Sequence, residues 1–391
     1  MPSSTIDYHE LMRIFSVPRL NGSRAEAATR RAVLDWLIQR NIPYRLQSFR
    51  LYPYFFIAIG AWIIVSRSLL ALAIWLRWGW LALPIALLGL LGGLLDVALD
   101  IPLVSWPFAT QGHNILLEFG PPDPKQELVI SAHYDSKTEL LDHRQRLFFV
   151  KNLPLGILLT ALLGLLGAAD GWLLSLGSTW ATWTYAIGIL LSLPLLFLAW
   201  GLGLNLSLGP MRPVPSQGAV DNGAACAILL GLAQRLADGE ITLQNTRLTL
   251  ALFTGEEVNM QGSRAYALHR AWPIPALALN LEVMAQSGPY VYWEQDGTAF
   301  KLVPTAPNVN QKVVQAVRDV TGVDPQPAGP VSSDGYSFLR AGIPTAVLGT
   351  YDTDLQDRGF HLPSDNLDRL VISRLPEGVE ILTQFIASLD Q

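Results

Sequence analysis

Five short segments carry carboxylates and imidazoles at the ends of apolar runs or in loops. They are Ser131-Ala132-His133-Tyr134-Asp135-Ser136, Ala219-Val220-Asp221-Asn222-Gly223-Ala224, Thr254-Gly255-Glu256-Glu257, Asn280-Leu281-Glu282 and Phe360-His361-Leu362-Pro363-Ser364-Asp365. Singly, most have ordinary readings. A His and an Asp two apart are common in loops, Asp221 could cap the helix that follows it, and His361 could be a plain loop histidine. Glu256 and Glu257 are sharper. Two adjacent carboxylates that converge on one site stay ionised only if something positive compensates. They follow the apolar run Leu248 to Phe253, and the carboxyl ends of strands are where open α/β sheets bind ligands.

As a set the segments suggest metal chemistry. Cys226 is the only cysteine, which excludes intrachain disulfides and multi-cysteine zinc sites and fits a reducing compartment. Zinc without cysteine is held by histidine nitrogen and carboxylate oxygen. Two zinc ions about 3.5–4 Å apart favour a shared carboxylate. Two histidines and three carboxylates are available, with one further Glu beside a ligand to act as base. Such ligands also accept manganese or cobalt.

The elements that must position these residues can be read from periodicity. Residues 5–40 show apolar positions at spacings of three and four: Leu11, Ile14 and Phe15, then Val33, Leu34, Leu37 and Ile38. A break at Pro18 to Ser23 divides two helices, with Asn21 or Ser23 as cap of the second. Strands are expected over 44–51, 114–119, 127–132, 247–253, 276–283 and 345–349. Helices are expected over 224–237, 263–270, 309–321 and 375–389. Strands alternating with helices imply an α/β domain around a mostly parallel sheet. No repeat or low-complexity tract interrupts it.

Only 15% of the 391 residues are charged, against about a quarter in a typical soluble domain. The deficit is local. Tyr54 to Leu95 holds only Arg67 and Arg77 as charges, enough for two spans of roughly 20 residues with a turn near Leu76 to Gly79. Arg67 then snorkels, pairs with Asp96 or Asp100, or marks a shorter first helix. Leu153 to Ala169 and Thr182 to Leu204 form a second pair. Trp75, Trp78 and Trp80 cluster at the first turn, and Trp172, Trp180 and Trp183 at the second, as interfacial rings do. The spans are thus two hairpins inserted in one α/β domain, with both chain ends on one side of a bilayer. Met1 to Arg50 is polar and lacks a signal-peptide core. Arg50, Arg144, Arg146, Lys151 and Arg212 flank the spans on the side of the soluble segments, which predicts a cytoplasmic domain by the positive-inside rule. The net charge of −5 and the absence of a basic stripe argue against a nucleic-acid partner.

Taken together, the soluble segments resemble the co-catalytic di-zinc aminopeptidases of the aminopeptidase S and aminopeptidase Y type, whose relatives include glutamate carboxypeptidase and glutaminyl cyclase. The resemblance rests on Gly112-His113-Asn114, the His-Tyr-Asp-Ser segment, the Asp-Asn-Gly turn and the Gly-Glu-Glu segment. It extends to Ser333-Asp334 followed by Phe338 and Gly342-Ile343-Pro344, and to the closing His-x-Pro-x-Asp. It implies a zinc-exopeptidase-like fold, two zinc ions and a peptide substrate with a free N-terminus. By the same resemblance, His133 and Glu282 would serve one zinc and Glu257 and His361 the other, with Asp221 bridging. Asp135 would orient His133. Glu256 would act as general base toward a metal-bridging water and pass the proton to the leaving amine.

The chain departs from that pattern at Glu282, where many relatives carry Asp, and at Gly335, where they often carry His or Tyr. Tyr336 or Tyr351 could supply a donor lost at Gly335. The hairpins are departures too, and the second separates His133 and Asp135 from Asp221. They are expected to hold the site near the bilayer and restrict it to small or membrane-delivered peptides. The resulting organisation is a catalytic domain of residues 1–53, 105–147 and 206–391, with membrane hairpins at 54–104 and 148–205. Three other readings compete: a one-zinc glutaminyl cyclase-like acyltransferase, an inactive membrane scaffold, and a transporter. The retained ligand set weighs against the first two, and the scarcity of ionisable residues in the spans against the third. His9 and His269 read as solvated, His113 and His143 as peripheral, and Cys226 as helix packing. Oligomeric state is not encoded in any of these features.

Overall fold

The computed structural model describes residues 6–352 and 359–390. These divide into two compact units. One is built from the chain up to Pro53, Thr110–Thr138 and Val214 onward, the other from Tyr54–Ala109 and Glu139–Pro213.

In the first unit, nine strands among the described residues form one mixed sheet in the order β1-β2-β4-β3-β5-β9-β6-β7, with β8 beside β6. These are β1 (Arg45–Leu51), β2 (Thr110–Phe119), β3 (Gln126–His133), β4 (Thr246–Phe253), β5 (Ala276–Glu282), β6 (Tyr290–Thr298), β7 (Lys301–Pro304), β8 (Gln326–Val331) and β9 (Thr345–Thr350). The central strands β4, β3, β5 and β9 run parallel, and antiparallel pairs flank them. The central strands are buried on both faces, which is why they read as near-continuous apolar runs.

Alternate residues of β4 show the pleat. Leu248, Leu250 and Leu252 pack into the larger core, with α1 (Tyr8–Phe15), α8 (Ala224–Ala237), α10 (Pro307–Thr321) and α12 (Arg374–Ala387). Ala251 and Phe253 face the smaller core, made with Tyr266 of α9 (Gln261–Ala267) and Phe338 of α11 (Gly335–Arg340). Between α1 and β1 lies α2 (Arg24–Gln39), capped by Ser23, whose hydroxyl accepts from Glu26 N. The expected helix over 263–270 begins at Gln261 and ends at Ala267.

The second unit packs α3 (Phe55–Trp75), α4 (Gly79–Gly93), α6 (Leu153–Ser175) and α7 (Trp180–Leu208) against one another. All four are long and apolar enough to cross a membrane, α4 continuing to Ala98. Small residues let the backbones meet. A Cβ on Gly79 would lie 2.3 Å from the Gly167 carbonyl, and one on Gly60 would lie 2.6 Å from that of Gly203. At the turn end, Arg77 pairs with Asp170 at 2.8 Å and donates to the Ala181 carbonyl. Arg67 donates to Ser66 Oγ and the Gly89 carbonyl, while the Asp96 carboxylate is taken up by Leu103, Val104 and Ser105. Segments 105–109, 139–147 and 206–213, expected with the soluble domain, belong to this unit. The middle one leads into an unanticipated helix, α5 (His143–Lys151), which packs on α6 and α7.

Candidate metal centre

Most of the predicted site residues sit at a strand end or just beyond one. His133 ends β3 and Glu282 ends β5. Asp135 lies just past β3, Glu256 and Glu257 just past β4, and His361 in a turn within residues 359–366. Asp221 sits in an irregular turn, Ala219–Gly223, immediately before α8, and its peptide bond to Asn222 is cis. The carboxyl ends of adjacent parallel strands share one sheet edge, so these side chains converge.

They form two triads, His133–Asp221–Glu282 and Asp221–Glu257–His361, each with ligand atoms within 4.8 Å of one another. Asp221 belongs to both. Its Oδ1 lies 3.2 Å from His133 Nε2, and its Oδ2 lies 3.1 Å from His361 Nε2. Glu282 Oε1 is 3.4 Å from His133 Nε2, and Glu257 Oε1 is 3.1 Å from His361 Nε2. Glu256 belongs to neither triad. Its Oε2 stands 3.9 Å from His133 Nε2.

The donor set fits cations. Every member of the two triads is buried, from His133 at 1% exposure to Asp221 and His361 at 8%. Glu257 Oε1, although close to His361 Nε2, is buried and receives no hydrogen bond, and Asp135 Oδ1 receives none either. Carboxylates held together out of water without donors need positive charge. The protonation equilibria show the same frustration. Burial lifts the Glu256 carboxyl well above the usual range, and the negative charges of Glu257, Glu282 and Asp334 reinforce it against His133. Burial raises Glu282 to about 6 despite its bond to His133. Burial alone would lower His133, but Glu256, Asp221 and Glu282 outweigh it and hold the imidazole well above its ordinary value. Asp221 moves the other way: bonds from both histidines overcome its burial.

A surrounding shell fixes these groups. Asp135 accepts from Asn21 Nδ2 at 2.7 Å and Glu257 N at 3.0 Å, and its Oδ1 lies 3.7 Å from His133 Nδ1. The backbone oxygen of Asp135 is nearer that nitrogen, at 3.2 Å. Asp365 accepts from Val220 N at 2.7 Å and Asp221 N at 3.3 Å, holding the turn that carries Asp221. Asn280 joins Ser131 Oγ to Glu282 Oε2. Thr254 donates to Glu26 at 2.6 Å and to Asn21 at 3.2 Å. Arg19, fully buried, donates to the carbonyl of Tyr134, next to His133, and to those of Gln217 and Gly218, shortly before Asp221. Several loops keep left-handed backbone at residues that disfavour it: Val283 (φ 48°), Met260 (φ 53°) and His361 (φ 61°). Such conformations cost roughly 1–3 kcal/mol each and gather where a site dictates the backbone.

Sequence reading missed Arg19, Glu26, Asn280 and the positioning roles of Asn21 and Asp365. Asn21 had been considered only as a helix cap, yet its amide reaches Asp135. The remaining histidines are peripheral. His9 and His269 are exposed, His113 meets Ser48 Oγ, and His143 lies 2.9 Å from Arg146 Nη2. The Cys226 thiol donates to the His133 carbonyl. A Cβ on Gly335 would lie 2.6 Å from Asp296 Oδ2 and 3.0 Å from Val347 Cγ2, which accounts for the departure from the larger residue of the resembled pattern.

Residues 205–385 match the family model described as Peptidase family M28. That stretch holds Asp221, Glu256, Glu257, Glu282 and His361 and ends the match short of His133. Among solved structures, a glutaminyl cyclase from Fimbriiglobus ruber is similar at 14% identity and a TM-score of 0.55, over 99% of this chain and 96% of that one. A leucine aminopeptidase precursor from Bacteroides thetaiotaomicron is similar at 12% identity and 0.54, over 98% of both chains. A zinc aminopeptidase from Bacillus subtilis is similar at 15% identity and 0.43, over 72% of this chain and 50% of that one, so this chain spans half its length. No curated protein matches. The first two likenesses establish the fold: a mixed α/β sheet, parallel at its centre and flanked by helices.

Proposed function

We propose that the chain is a membrane-embedded metallopeptidase that binds two zinc ions and removes residues from the N-terminus of peptides. One observation carries the reading: the two oxygens of Asp221 face two different histidine–carboxylate triads. The match to Peptidase family M28 supports the hydrolase class. His133, Asp221 and Glu282 would hold one ion, and Asp221, Glu257 and His361 the other. A bound zinc pair lowers the pKa of water and polarises a carbonyl.

The protein's own part is positioning and proton transfer. Asp135 and the backbone beside it steer the His133 ring, so that Nε2 faces the carboxylates. Glu256, outside both triads and only slightly exposed, is placed to take a proton from the attacking water and return it to the leaving amine. A carboxyl with raised affinity for protons suits that exchange near neutral pH.

A second reading has support in the likeness to a glutaminyl cyclase, which covers nearly the whole chain. It would use one zinc and cyclise N-terminal glutamine with loss of ammonia. The test is joint. Zinc per protein by elemental analysis should be two, and a panel of aminoacyl fluorogenic substrates should be hydrolysed. One zinc with pyroglutamate formation and no aminoacyl hydrolysis would replace this reading with the cyclase.

The four apolar helices are assigned as spans and the catalytic unit to the cytoplasmic side. Arg50, Arg144, Arg146, Lys151 and Arg212 flank the spans there, against Arg77 at the turn end. Protease added outside intact spheroplasts should leave an epitope at Asp238 uncut.

A further inference from the structure

We propose that residues 99–108, between α4 and β2, form an interfacial anchor lying in the headgroup–acyl boundary of the bilayer. The inference rests on the assignment of the four apolar helices as spans. Leu99, Ile101, Leu103, Trp106 and Phe108 are each at least half exposed, from 50% for Ile101 to 60% for Trp106. A water-facing loop has no reason to present five large apolar side chains in ten residues. Asp100 is the only charge among them.

Most of the backbone N–H groups of this segment are paired internally. Asp96, 1% exposed, accepts from Leu103 N at 2.7 Å and Val104 N at 2.8 Å through Oδ1. Through Oδ2 it accepts from Ser105 N at 3.0 Å and Ser105 Oγ at 2.7 Å. Leu99 N and Ile101 N donate to the carbonyls of Leu94 and Leu95, and Phe108 N to that of Ser105. Pro102 and Pro107 have no N–H to satisfy. Irregular backbone tolerates a medium poor in water only when its polar groups are paired in this way. A loop that pairs most of its N–H groups and turns its apolar side chains outward suits the boundary region, where headgroups and water meet acyl chains. By contrast, the 120–125 turn (Gly-Pro-Pro-Asp-Pro-Lys) carries charges and no large apolar residue.

The position agrees with the aromatic pattern of the helices. Trp75, Trp78, Trp80, Trp172, Trp180 and Trp183 are exposed at the turn end. Tyr54, Trp106 and Phe108 are exposed at the opposite end, where Tyr54 and Phe108 rings meet edge to face at 5.7 Å. Amphipathic rings favour both boundaries of a bilayer, and the segment supplies the second belt. It adds held contact with one leaflet just before the chain enters β2.

The experiment uses the full chain in phosphatidylcholine–phosphatidylglycerol vesicles. Nitroxide labels are placed by Leu103→Cys and Trp106→Cys, with Leu190→Cys as mid-span reference and Asp123→Cys as aqueous reference. The native thiol at Cys226 is buried, and labelling of the parent protein sets the background. Power saturation with oxygen and with a water-soluble nickel complex should show labels at 103 and 106 severalfold more accessible to oxygen than the label at 123. Labels at 103 and 106 that match 123 while 190 stays in lipid would overturn the anchor alone. Labels shielded from both reagents would replace lipid with a protein partner. A label at 190 open to nickel would overturn the spanning assignment itself, and the anchor with it.

Discussion

Arg19 Nε donates a 2.6 Å hydrogen bond to the carbonyl of Tyr134, the residue between His133 and Asp135. Its other nitrogens reach the carbonyls of Val17 at 2.9 Å, Gln217 at 2.7 Å and Gly218 at 2.8 Å, and that of Phe15. One guanidinium therefore joins two segments that the second apolar hairpin separates in sequence. Arg19→Ala strands several buried carbonyls at about 1–3 kcal/mol each. It should lower Tm strongly. Arg19→Lys keeps the charge but not the planar fork. It should fold, lose kcat more than it raises KM, and bind zinc less tightly. A lysine variant with wild-type kcat and zinc content would show that the clamp serves stability alone.

Glu256 stands outside both triads, so Glu256→Gln should keep full zinc content and lose about 10²–10⁴-fold in kcat. His361→Ala removes a member of the second triad and should lower zinc content as well as rate. Elemental analysis of the two variants, side by side with their kinetics, separates proton transfer from metal binding. Zinc loss in the Gln variant, or unchanged zinc in the Ala variant, would reassign those residues.

Metal-free protein should be less stable at pH 7.5 than at pH 5.5. Glu282 is raised to about 6, and burial pushes Asp334 and Asp365 up to about 7. An acid raised on folding binds more protons folded than unfolded, so stability falls as pH climbs from its unfolded value of about 4 through the folded one. The raised His133 acts in the same direction at neutral pH, and the lowered Asp221 acts only at far lower pH. Zinc at a hundredfold excess over Kd should restore about 2.7 kcal/mol. Melting curves of chelated and zinc-loaded protein across this range check both signs.

Gly335→His should not gain activity. The added Cβ meets Asp296 Oδ2, and that carboxylate is already fixed by Ser333 N at 3.0 Å and Ser333 Oγ at 2.7 Å. The variant is expected to lose Tm and to leave kcat no higher. A rise in kcat with unchanged Tm would show that the position can accept a donor after all.

The segments of His133, Glu257 and Glu282 were legible because each ends or follows a parallel strand whose apolar run is visible on its own. His133, Glu257 and Glu282 inherit their convergence from the register of β3, β4 and β5. Arg19 and Asn21 were not legible, since their partners lie more than a hundred residues away and leave no local period. β8 was missed for a different reason. It carries Pro327 and Pro330, which a strand tolerates only at an edge, and it pairs with β6 alone. β6 itself mixes Glu294, Gln295 and Asp296 into its apolar residues. α5 was hidden by its charged face, Arg144 and Arg146.

Because Asp221 faces one histidine from residue 133 and another from residue 361, the second half of the centre does not exist in a partly made chain. The pair of imidazoles opposite Asp221 is therefore complete only once the segments around residues 133, 221 and 361, far apart in sequence, have come together.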